Sequence, residues 1–160
     1  MTTAWAQSAV SRFDIVIYDP QGELALVVEV KNKPGATPDW AAQMRRNLAV
    51  HLGIPRSRFF LLALPDHFYL WRAMANPLDA VAPDYDIDPA PLLAGYVEDA
   101  PSALSSMSEY GLTLAVLSWL TSVVQAPPVA DIPPREQEWL FASGLYEAIA
   151  GGAIEAQARS

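Results

Sequence analysis

A chain of 160 residues with 52% apolar side chains has material for one compact core and too much of it for wholesale disorder. The absence of cysteine excludes disulfides, iron–sulfur ligation and thiolate zinc sites, and a total of two histidines, His51 and His67, excludes a histidine-rich metal centre. The net charge of −8 hides an asymmetry: residues 1–72 hold eight basic and six acidic side chains, residues 73–160 two and twelve, which suggests a basic working face on an acidic body.

The start, "MTTAWAQSAVSRFD", lacks the basic head and long apolar run of a signal peptide, so a cytoplasmic location is expected. "RFDIVIYD" (12–19) alternates and predicts a strand with Phe13, Ile15 and Ile17 on one face. "DPQGE" (19–23) supplies Pro20 and Gly22 for a tight turn, and "LALVVEVK" (24–31) is the returning strand. Thr37 as N-cap, Pro38 in the first turn and Asp39 beside it predict a helix start. Trp40, Ala41, Met44, Leu48, Val50 and Leu52 form its apolar side, and Gly53 and Pro55 end it. "RFFLLALP" (58–65) suits a buried strand and "FYLWR" (68–72) a short aromatic one.

Beyond residue 72 the pattern changes. Pro77, Pro83, Pro89 and Pro91 among acids predict an extended wrap over 73–102. One apolar helix is expected over 102–125, a stiff linker over 126–134, and a last helix over 135–152 before a frayed tail. Residues 110–130 carry no charge, but Ser118, Thr121, Ser122, Gln125 and the Pro127–Pro128 pair favour a buried helix over a membrane span. Leu112, Ala115, Val116, Trp119, Leu120 and Val123 give that helix a broad apolar face, for the chain's own core or for a homodimer.

The hairpin carries the candidate chemistry. Asp14 and Glu29 fall opposite one another if the turn is centred between Gln21 and Gly22, and Lys31 shares a face with Glu29 by the two-residue period. Two carboxylates so close repel unless a cation, Lys31 or a hard divalent metal, sits between them.

"FD" on one strand, "EVK" closing the next after 14 intervening residues, and Gln43 on the following helix resemble the PD-(D/E)XK nuclease superfamily over about residues 12–72. The resemblance implies an α/β fold with a restriction-endonuclease-like mixed sheet core (β-β-α-β-β) over 1–72, to which the pattern of residues 73–160 adds an α-helical C-terminal extension. It implies Mg²⁺, or Mn²⁺ in its place, held by Asp14, Glu29 and the backbone carbonyl of Val30. Lys31 is then expected to orient or activate the attacking water, and Gln43 to point toward the site. The implied activity is hydrolysis of phosphodiester bonds in nucleic acid, DNA first. No acidic residue precedes Asp14, and Asn47 stands where some groups carry tyrosine. The alternative is a nuclease-fold scaffold or regulatory subunit without catalysis, acting through protein contacts.

Overall fold

The computed structural model describes residues 12–72, 78–125 and 135–157. The linker expected over 126–134 and the first residues of the wrap, 73–77, lie outside the described residues. Strands β1 (Ile15–Tyr18), β2 (Leu24–Val30), β3 (Phe59–Ala63), β4 (Phe68–Arg72), β5 (Tyr85–Ile87) and β6 (Ala153–Ala156) form one mixed sheet in the order β5-β4-β3-β2-β1-β6. Only β2 and β3 run parallel, joined through helix α1 (Pro38–His51), so the expected β-β-α-β-β order is present within a larger α/β sheet.

The hairpin forms as its residues dictate. Gly22 takes φ 85°, and the Asp19 carboxylate accepts from the N–H groups of Gln21 and Glu23, each at 2.9 Å. Next to the turn Tyr18 pairs with Leu24; a register shift between Ile17 and Tyr18 then sets Ile17 opposite Leu26, Val16 opposite Val27 and Ile15 opposite Val28. The ladder ends there: Asp14 lies in a bend before β1 and its N–H donates to the carbonyl of Val28, the residue already paired with Ile15, so among the described pairs the directly opposed Asp14–Glu29 pair expected from the turn is not formed.

Thr37 caps α1, its Oγ1 accepting from Trp40 N–H at 3.1 Å, and Gly53 at φ 76° closes the helix by donating to Leu48 and Ala49 carbonyls. Ala41 and Leu48 are buried against Val16, Val27, Phe60, Leu62, Tyr69 and Trp71. Val50 departs from the expected apolar side and is 51% exposed. Phe13 is a second departure. It packs with Val16 and, edge-on at 6.2 Å, with Phe60, on the face opposite Ile15 and Ile17, because the chain bends at residues 13–14 before the strand begins.

The opposite face of the sheet is covered by α2 (Ala90–Leu93), α3 (Ala100–Ser106), α4 (Glu109–Gln125), a 3₁₀ turn (Arg135–Gln137), α5 (Glu138–Ala142) and α6 (Leu145–Ile149). The wrap thus holds a strand and two short helices where extended chain was expected. The helix expected over 102–125 is two, broken at Met107–Ser108, where the Ser108 hydroxyl accepts from Gly111 N–H at 3.0 Å and starts α4. Gly144 at φ 87° likewise divides the last expected helix. The apolar face of α4 goes to the chain's own core: Leu112, Val116, Trp119 and Leu120 are at most 2% exposed. Among the described residues no helix is long and apolar enough to cross a membrane.

The tail expected to fray is strand β6, antiparallel to β1 with Ile15 opposite Ala156 and Tyr18 opposite Ala153. Gly152 makes this docking possible, since a Cβ there would sit on the carbonyl oxygen of Tyr18.

Candidate functional site

Asp14 lies where three strands meet. Its N–H donates to Val28 O at 3.1 Å, its carbonyl accepts from Gln157 N–H at 2.9 Å, and its Oδ2 accepts from Val30 N–H at 2.7 Å. The carboxylate thus stands where β1 would have offered a backbone acceptor had it run further. Carbonyl and N–H of one strand residue point to the same edge, so the Val30 carbonyl faces the Asp14 side as well. Asp14 is 8% exposed.

Glu29, 1% exposed, is the last residue but one of β2. Side chains alternate along that strand: Val28 and Val30 join the α4 side and Val27 the α1 side, which places Glu29 on the α1 side. Lys31 follows with the same orientation, its Nζ 3.8 Å from Glu29 Oε2, and at 31% exposed it is the solvent-facing member of the group. Its backbone N–H continues the parallel ladder to Ala63 O at 3.1 Å. The structure therefore brings Asp14, Glu29, Val30 and Lys31 to one end of the hairpin.

Gln43 is not brought there by any described bond and lies on the exposed side of α1, two residues round from Ala41. The helix instead buries Arg45, 4% exposed, with its guanidinium 5.5 Å from the ring of Trp71. Burial pushes this guanidinium below its ordinary pKa, and the Asp84 carboxylate opposes the shift. Arg45, unlike the exposed Arg46 beside it, lies on the buried side of the helix. Its position one turn from Ala41 and Leu48 was the available signal.

The pairing continues sideways from Glu29 to Leu62, Tyr69 and Asp86 in one row. Tyr69 is fully buried and donates to Ala36 O at 2.8 Å. Burial, then the charges of Asp86 and Asp66, push its phenol up to about 12. Beyond it His67 stacks on Tyr69 at 5.1 Å and meets Asp86 through Nδ1 at 2.7 Å. Glu109, at the start of α4, accepts from Asn32 N–H at 3.1 Å, next to Lys31. No local pattern could have joined residues so far apart in the chain.

The donor set matches a hard dication in kind. Asp14, Glu29 and the Val30 carbonyl are all oxygen donors, and Mg²⁺ is commonly bound by one or two carboxylates with water and substrate oxygens completing its shell. Among the described residues no group of three or more His, Cys, Asp or Glu side chains is placed to hold a metal ion. Comparison with protein-family models, curated proteins and solved structures gave no match.

Proposed function

We propose that this protein is a nuclease-like hydrolase that cleaves phosphodiester bonds in nucleic acid, DNA first, with Mg²⁺ or Mn²⁺. The observation that supports this most is the gathering of Asp14, Glu29 and Lys31 at one end of a β-hairpin that leads through α1 into a parallel strand. That order and placement agree with the restriction-endonuclease-like reading of residues 12–72. The metal would be held by Asp14, Glu29 and the Val30 carbonyl, and when bound it supplies an acidified water and offsets charge on the phosphate.

The chain's own residues divide the remaining work. Lys31 faces solvent and presents its ammonium to a phosphate oxygen, where it opposes the charge that builds in the transition state. Glu29 holds that ammonium in place from the buried side. Asp14, fixed by the Val30 N–H, keeps its carboxylate from swinging away.

A scaffold without catalysis is the second reading. It is favoured by Glu29 being 1% exposed and already paired with Lys31, and by the exposed position of Gln43. Cleavage of single- and double-stranded DNA and RNA with Mg²⁺ or Mn²⁺ at low salt, alongside metal binding by calorimetry, separates the two. Lys31→Ala is expected to lower the cleavage rate roughly a hundred- to thousandfold, with metal affinity in the presence of substrate largely kept. Glu29→Gln removes both, because an amide is a poor ligand for a hard dication. No cleavage of any substrate, with Lys31→Ala indistinguishable from wild type, would leave the scaffold reading in its place.

A further inference from the structure

Two residues beyond Lys31 the chain presents a second ammonium at the same end of the sheet. Lys33 is exposed, and its Nζ stands 5.8 Å from the ring centroid of Trp40 in the first turn of α1. Trp40 packs on the apolar cluster beneath α1, so Lys33 lies on the α1 side, as Lys31 does through its contact with Glu29. The Cα atoms of the two lysines are at most about 7 Å apart, the scale of one step between phosphates along an extended strand.

The loop that carries Lys33 is held at several points. Asn32 N–H donates to Glu109 Oε1 at 3.1 Å, Gly35 N–H to Asp66 Oδ2 at 2.8 Å, and the Tyr69 hydroxyl to Ala36 O at 2.8 Å. Lys31 is already paired with Glu29, whereas among the described residues no carboxylate lies within 4.0 Å of the Lys33 ammonium. An aromatic face orients an ammonium without neutralising it, so the charge stays available to an anion. A loop already fixed gives up little further freedom when it binds one.

We propose that Lys33 grips the phosphate next to the one that Lys31 faces, with Trp40 as its positioning residue, and that this loop recognises nucleic acid by its backbone and not by its bases. The inference rests on the hydrolytic reading above and deepens it, since an ammonium on a phosphate carries no sequence information.

The test is fluorescence anisotropy of labelled DNA, single-stranded and duplex, in two unrelated sequences, with the full chain. It is run in EDTA and again in Ca²⁺, between about 50 and 200 mM salt. Each phosphate contact contributes about 0.9 to the slope of log K against log salt on duplex and about 0.7 on a single strand. Lys33→Gln is expected to flatten the slope by that amount, equally for both sequences, and Lys33→Arg to restore it. Arg135→Gln, which removes a cation from the helical layer on the opposite face, should leave the slope unchanged. Trp40→Leu should weaken binding roughly two- to fivefold in the wild type and no further in Lys33→Gln, because the ring acts through the lysine. No binding of any strand by the wild type overturns the hydrolytic reading and this one together. Binding with a slope that Lys33→Gln leaves unchanged overturns the Lys33 contact alone. An equal flattening in Arg135→Gln does the same, by making the effect one of net charge. Additive losses from Trp40→Leu and Lys33→Gln overturn the positioning role.

Discussion

On one face of the sheet a single helix, α1, covers a modest apolar cluster, and the buried charges Glu29 and Arg45 lie on that side. On the other face the five helices α2 to α6 bury an apolar layer from Ile15 and Val28 out to Leu120 and Ile149. The first face gives up apolar burial to hold Glu29 near a strand end and Arg45 on the helix above it; the second is apolar throughout its buried cluster. The thick apolar layer and the proposed site therefore lie on different sides of the same strands, and substitutions on the two sides should fail in different ways.

The largest effect is expected in the apolar layer. Leu120→Ala removes a fully buried side chain and should cost about 3–5 kcal/mol in urea unfolding, while Leu48→Ala, 7% exposed on α1, should cost about 2–3. Equal losses would break the distinction between a thick side and a thin one.

Tyr69 sharpens it through pH. Its phenol is held up at about 12 by burial and by Asp86 and Asp66, against an ordinary value of 10.0. Below pH 10 folded and unfolded chains both keep the proton and the full stabilisation is present. Between pH 10 and 12 the unfolded chain ionises first, so roughly 2–3 kcal/mol is lost across that window. Chemical denaturation of wild type and Tyr69→Phe at a series of pH values checks this: the variant should lose stability less steeply above pH 10.

Asp14 has a hydrogen-bonding duty toward Val30 and a proposed one toward the metal, which substitution can separate. Asp14→Ala leaves Val30 N–H buried without its acceptor and should cost about 1.5–3 kcal/mol. Asp14→Asn keeps an acceptor oxygen and should cost less, while still weakening Mg²⁺ binding as measured by calorimetry. Smallest of all, Gln43→Ala changes an exposed side chain and should stay within about 0.5 kcal/mol with unaltered cleavage. A large loss of cleavage would bring Gln43 back into the site.

The hairpin, α1, β3 and β4 were legible because each is announced by neighbours in sequence: Gly22 for the turn, Thr37 and Gly53 for the helix ends, an apolar run for β3. The convergence of Glu29 and Lys31 was legible for the same reason, as an alternation along one strand. What stayed hidden is non-local. Strand β6, "AIEA", has no apolar pattern of its own and exists because the edge of β1 offers it hydrogen bonds. The bond from Asn32 to Glu109 and the position of Asp86 beside Tyr69 depend on tertiary packing that no spacing in the chain encodes. Breaks at Ser108 and Gly144 were visible as residue types, yet strong apolar periodicity on both sides outweighed them.

The place of β6 also sets a timetable for synthesis. Strand β1 leaves the ribosome early, whereas the strand that covers its edge follows more than a hundred residues later. At about 5–20 residues per second, the hairpin and its parallel partner wait on the order of ten seconds with that edge uncovered. During that interval "IVIY", uncharged and rich in β-branched residues, is a template for pairing with another nascent chain. Once β6 docks, the new edge is short and carries the exposed Glu155, and the hazard is removed. Yield of folded protein should therefore respond to translation speed and to chaperones during elongation more than to the stability of the finished molecule.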